Sequence, residues 1–143
     1  MSRRRRFRKN HTLRIWLFRF LFAAYLAAVV WLCFGHFEDI RHFDLTFFGI
    51  PKDKIVHFCM FLPFVFFARW SFDWRQDKLW RRILIYLFII IVGLVLGAAT
   101  EVGQGLTDYR SEDPLDFYAD SLGIAVGAVL TVMTEILFVK KYD

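Results

Sequence analysis

Four long apolar runs, each bounded by charged residues, set the pattern of this chain. The first, Ile15 to Phe34, is interrupted only by Arg19. Twenty helical residues cover about 30 Å, the thickness of a bilayer's hydrocarbon layer. Arg19 lies one turn inside and can snorkel back toward the headgroups. Trp16 and Trp31 stand near the two ends, where indoles favour the interface. The second run, Ile55 to Trp70, is shorter, contains Pro63 and ends beside Arg69. The third runs from Ile83 to about Gly105 and carries Glu101 near its far end. The fourth runs from Leu115 to Val139, with acidic residues near its start. The expected fold class is all-α, a polytopic transmembrane four-helix bundle. The spans fall at about 14–34, 54–70, 82–105 and 114–139, in one domain covering residues 1–143.

Composition agrees with lipid as the solvent. Hydrophobic residues make up 57% of the chain and mean hydropathy is +0.41, whereas ordinary soluble domains are roughly 45–50% apolar. A water-soluble protein of this composition would expose large apolar patches and aggregate. The net charge of +5 has a clear geography. Arg3, Arg4, Arg5, Arg6, Arg8 and Lys9 precede the first run. Arg69, Arg75, Lys78, Arg81 and Arg82 join the second to the third, and Lys140 and Lys141 end the chain. The other two connections hold only Arg41, Lys52, Lys54 and Arg110. Basic-rich segments stay inside, so both termini are expected in the cytoplasm. A basic block beside a span reads as a topology signal and an anionic-lipid contact rather than a nucleic-acid site. "RRRFRK" loosely resembles a twin-arginine export signal, with Ala23, Ala24, Ala27 and Ala28 able to host cleavage; the length of the apolar run favours an uncleaved anchor. Cys33 and Cys59 both lie in apolar runs and read as packing residues rather than a disulfide or zinc pair.

The remaining polar residues gather by helical spacing. Asp116, Asp120, Gly123 and Gly127 share one stripe of the fourth helix; Gly93, Gly97, Glu101 and Gln104 share one stripe of the third. The two glycine stripes predict that these helices pack together. Asp53 and His57 are one turn apart at the start of the second helix. His57, Glu101 and Asp120 each lie about one turn, roughly 6 Å, inside their helix ends. Three helices thus deliver polar groups to one layer on the expected outer side. Ionisable groups there cost several kcal/mol unless they pair, protonate or meet water, which makes them functional candidates.

Each candidate also has a purely structural role open to it. Asp113-Pro114-Leu115-Asp116 reads as a helix start, with Asp113 capping and Asp116 answering at the third position. Asp53 can cap the second helix, and His57 can be a hydrogen-bonded bundle histidine. Glu101 is harder to absorb, because a carboxylate in a last turn faces the negative end of the helix dipole. Lys54, Arg110, a proton or a metal must compensate it. Arg110 either binds a phosphate or carboxylate from outside or pairs with Glu101 or Asp116. Glu135, near the inner boundary, reads as an exposed end residue.

With these residues in view, the chain resembles the VanZ-like membrane proteins. The likeness rests on "DKIVHF" opening the second helix, "EVGQGL" closing the third, and "RSEDPLDFYADSLGIAVG" across the last loop and fourth helix, in that order over about Lys52 to Leu130. The resemblance implies a multi-pass protein of the bacterial cytoplasmic (inner) membrane, part of the cell envelope. The family takes its name from a glycopeptide-resistance cluster, in which the namesake lowers sensitivity to teicoplanin, an antibiotic-resistance role; most members have no assigned activity. Its polar motif maps here to Asp53, Lys54, His57, Glu101, Gln104, Arg110, Ser111 and Asp116. The family more often has Asn where this chain has Asp120, and the departure adds an ionisable group.

The favoured expectation is a non-enzymatic envelope protein whose ligand-binding pocket comprises Asp53, Lys54, His57, Glu101, Gln104, Arg110, Ser111, Asp116 and Asp120. Its expected partners are membrane lipids, a lipid-linked or lipoglycopeptide amphiphile and a second copy of the chain, with no cofactor and no nucleic acid. Two alternatives stay open. One is a small carrier or scramblase with Glu101 and Asp120 as protonatable groups. The other is a membrane-embedded metal-dependent hydrolase, using His57, Glu101, Asp116 and Asp120. The sequence names no catalytic residue and settles no metal ligand, and the HExxH and GxSxG signatures are missing.

Overall fold

The computed structural model describes residues 3–35, 46–47, 49–72, 78–107 and 113–139. Helix α1 (Arg3–Phe34) leads to a short antiparallel ladder of β1 (Thr46–Phe47) and β2 (Ile50–Pro51), in which Thr46 faces Pro51 and Phe47 faces Ile50. Gly49, with a φ of 78°, turns the chain between them in the left-handed region that favours glycine. Then follow α2 (Lys52–Phe61), α3 (Phe64–Ser71), α4 (Leu79–Gly105) and α5 (Pro114–Val139). Apart from the two-residue ladder the fold is all-helical. Among the described residues, four segments are long and apolar enough to cross a membrane: His11–Phe34, Lys52–Ser71 (α2 with α3), Leu79–Gly105 and Pro114–Leu137.

The exterior is apolar as well as the interior. Phe20 is 71% and Phe88 61% exposed, and Leu13, Trp16, Ile91, Val95, Leu122, Val129 and Leu137 also face outward. Helices apolar on all faces belong in lipid. Phe61, Phe64, Val65, Ala68, Ile89, Ile124 and Ala128 form the core, where α5 packs on α2, α3 and α4, and α1 lies against α3. Tyr25 of α1 donates its hydroxyl to the Met60 carbonyl at 2.6 Å. Cys33 lies 3.8 Å from the Met60 sulfur, and neither cysteine forms a disulfide.

The second span is not one helix. Pro63 has no N–H to give, and in a continuous helix its ring would strike the carbonyl four residues back. The helix breaks at Leu62–Pro63 and restarts, with Phe67 N–H reaching the Pro63 carbonyl at 3.0 Å. The backbone of α5 lies directly against this broken helix. A Cβ at Gly123 would sit 2.5 Å from the Phe58 carbonyl oxygen, and one at Gly127 would overlap that of Leu62. Helices α4 and α5 do pack together, as the two stripes suggested, but not glycine against glycine. The glycines of α5 admit the α2–α3 backbone, whereas Gly93 faces Phe64 and Ile124 and Gly97 faces Asp120. Small-residue spacing marks a close approach but carries no information about which helix makes it.

The helices alternate in direction, and charge separates between the two ends of the bundle. At one end, Arg19 donates to the Ser71 carbonyl at 3.1 Å and stacks 5.2 Å from the Trp16 ring; Arg14 lies over Trp70. Glu135 is at this end and is buried, not exposed as its position suggested. Arg69 of α3 and Arg82 of α4 hold its two oxygens at 2.5 and 3.2 Å, clasping three helices together.

The close approach gives an expected outcome. Gly123→Val and Gly127→Val each lower the unfolding free energy in detergent by about 1–3 kcal/mol, because backbone must move to admit the new atoms. Val129→Ala, on the outward face, leaves it nearly unchanged; thermal or denaturant melts of the purified variants check both.

Candidate functional site

At the opposite end, four helices bring polar groups to one level. Helix α2 enters with Asp53, Lys54 and His57; α4 leaves with Glu101 and Gln104; α5 enters with Asp116 and Asp120; α1 ends beside them at Cys33. His57, Glu101, Gln104, Asp116 and Asp120 are all buried, and Asp120 is fully so. The register follows from the backbone contact between Phe58 and Gly123, since His57 precedes the one and Asp120 lies one turn before the other.

His57 is the centre of the group. Its Nδ1 lies 3.0 Å from Asp120 Oδ1 and 3.9 Å from Glu101 Oε1, and its Nε2 lies 3.7 Å from Asp116 Oδ2. Lys54 is committed elsewhere, paired with Asp113 and with Asp116 at 2.5 Å. Glu101 Oε2 accepts from the Asp113 backbone N–H at 3.4 Å. Among the described residues, Glu101 Oε1 and Asp120 Oδ2 are buried and have no hydrogen-bond partner. Buried carboxylate oxygens of this kind carry the full desolvation cost. The donor atoms of His57, Glu101 and Asp120 lie within 4.8 Å of one another, as do those of Asp53, His57 and Asp116, so either trio could reach one ion.

The layer combines expected and unexpected roles. Asp113 caps α5, with its side chain accepting from Leu115 N–H at 2.9 Å. The Lys54 ammonium, and then this N–H, hold the Asp113 carboxyl below the ordinary carboxylate range. A depressed carboxyl stabilises the fold above that range, and its contribution fades as pH falls through the lowered value. Asp116 turns to Lys54 and not back to the cap. Asp53 does not cap α2; Pro51 holds that position, with no side-chain bond, and Asp53 is exposed in the first turn. Gln104 is buried at the same end but donates to the Cys33 carbonyl at 3.1 Å, tying α4 to the end of α1. Arg110 and Ser111 lie outside the described residues. Asp113, the second partner of Lys54, was passed over as a mere cap; its position one turn before Asp116 was the available signal.

Lys54→Met strips Asp113 and buried Asp116 of their cation, and loss of the bond to Asp116 is expected to cost about 1.5–3 kcal/mol, the range for hydrogen bonds to charged groups. Asp53→Asn, at an exposed position, is expected to be neutral or mildly stabilising, since it removes a like charge near Asp116. Detergent melts of the two variants against the parent protein check the contrast.

Residues 22–138 match the family described as VanZ/LLP1. A protein of Schizosaccharomyces pombe, described as uncharacterized protein C11E3.10, is 31% identical over 82 residues. The match covers 57% of this chain and 48% of the yeast protein, so the chain spans about half the length of that relative. No solved structure matches.

Proposed function

Because the chain belongs to the VanZ/LLP1 family, we propose that it is a non-enzymatic multi-pass membrane protein whose polar chamber receives the headgroup of an amphiphile. The observation that carries the reading is a juxtaposition at one level. His57, Glu101, Asp116 and Asp120 are buried inside, while Val56, Val102, Leu115 and Tyr118 are exposed outside. An amphiphile has the same division, with acyl chains for the apolar wall and a hydrated head for the chamber. The ligand class is a membrane lipid, a lipid-linked precursor or a lipoglycopeptide. Similarity to a yeast protein favours the broadest of these, membrane lipids. The proposed orientation puts Arg14, Arg19, Arg69 and Arg82 at the cytoplasmic face, with both termini inside and the chamber opening outward. In a bacterial inner membrane it would meet envelope precursors and teicoplanin-type antibiotics there. Arg110, in the sequence joining α4 to α5, is proposed to meet the anionic part of the headgroup.

Native mass spectrometry of the detergent-purified protein is expected to show retained lipid, with at least a ~10-fold loss in Arg110→Ala, the scale of a charge-assisted contact of about 1.5–3 kcal/mol. Expression in a susceptible bacterium is expected to change teicoplanin sensitivity, and Arg110→Ala to abolish the change. No bound lipid, together with the same teicoplanin sensitivity in cells expressing the parent protein and Arg110→Ala, would overturn the proposal.

The partnerless oxygens of Glu101 and Asp120 favour a second reading, a small carrier or scramblase that uses them as protonatable groups. Transfer of labelled lipid between liposome leaflets would then depend on Glu101. Equal rates for Glu101→Gln and the parent protein would remove it.

A further inference from the structure

Among the described residues, the carboxylates of the chamber exceed the cations that pair with them. Lys54 is shared by Asp113 and Asp116, which leaves the His57 imidazole alone between buried Glu101 and Asp120. Each of those carboxylates keeps one oxygen with no donor among the described residues. We infer that His57, Glu101 and Asp120 form a binding site for a divalent cation of the zinc class, with a further coordination position left open inside the chamber.

Three features support the assignment. The first is charge: a neutral imidazole and two carboxylates leave two negative charges, which one divalent ion cancels in a layer where net charge is costly. The second is spacing. Tetrahedral metal–ligand bonds of about 2.0–2.2 Å hold neighbouring donors roughly 3.3 Å apart, and the distances from His57 Nδ1 to Asp120 and Glu101, 3.0 and 3.9 Å, bracket that value. The third is the orientation of the donors. Asp116 faces the other ring nitrogen, Nε2, and is itself held by Lys54, the arrangement by which a carboxylate fixes the tautomer of a metal-bound histidine. The Asp113 N–H on Glu101 Oε2 leaves Oε1 turned toward His57. One imidazole with two carboxylates suits zinc or a neighbouring first-row ion better than magnesium or calcium, which prefer oxygen throughout.

The inference uses the same chamber as the proposed function but does not depend on an amphiphile entering it. The full chain, purified without chelator, is assayed for metal by mass spectrometry, then stripped and titrated with Zn²⁺ and, for its visible spectrum, Co²⁺. About one equivalent per chain is expected, with affinity falling at least ~10-fold in Glu101→Gln and in Asp120→Asn. These amides keep shape and remove charge, and melts confirm that the variants fold. Asp53→Asn is expected to retain the ion. A stripped protein that takes up neither ion would overturn the site, as would full binding by both amide variants or its loss in Asp53→Asn. Lipid is measured in the same samples: metal without lipid contradicts only the amphiphile reading, and lipid without metal contradicts only this one.

Discussion

The contact of the α5 backbone with the broken α2–α3 helix sets the geometry of everything polar in this protein. With hydrogen in place of a side chain at Gly123 and Gly127, the carbonyls of Phe58 and Leu62 reach the α5 backbone itself. Contacts this close leave little freedom to slide. They fix how far α2 and α5 are offset along their axes. His57 is the residue before Phe58, and Asp120 lies one turn before Gly123, so the offset places imidazole against carboxylate at 3.0 Å. Helix α4 joins the same layer with Gly97 facing Asp120. Apolar packing thereby determines the chemistry of a site that contains little apolar surface.

Ionisable groups at membrane depth are tolerated only when neutralised, and the two ends of the bundle meet that demand differently. At the basic end Glu135 receives two arginines from two helices, so its charge is more than met. That cluster reads as a structural clasp. At the other end the carboxylates outnumber the cations, and two buried oxygens lack donors among the described residues. The same chain therefore shows both a satisfied and an unsatisfied way of burying charge. The unsatisfied end is where a proton, an ion or a ligand has something to supply.

The convergence of His57, Glu101, Asp116 and Asp120 was legible from spacing alone. Helical periodicity fixes a face, and distance from the helix end fixes a depth, so three helices of matching depth define one layer. Four apolar lengths were equally plain, since the bilayer sets a minimum length for a span. What periodicity does not encode is the neighbour across the gap. The α5 glycines were assigned to α4, but they face α2. The position of Glu135 near the inner boundary suggests exposure, and nothing local says that Arg69 and Arg82 both turn inward to meet it. Gln104 was placed in the chamber by its stripe, yet its amide is taken by the last turn of α1. Pro63 cannot continue a helix, but the second run reads as one span, and which helix uses the carbonyls at the break depends on the tertiary fold.

The account depends on His57 and Asp120 acting as one unit within a common chamber, separate from the Glu135 clasp. A double-mutant cycle in detergent measures this directly, with His57→Ala and Asp120→Asn alone and together and Glu135→Gln as the distant reference. The account predicts a His57–Asp120 interaction energy of about 1–3 kcal/mol, and additivity within about 0.5 kcal/mol for His57 with Glu135. Strict additivity of His57→Ala with Asp120→Asn would contradict it, because the two side chains would then not share a site.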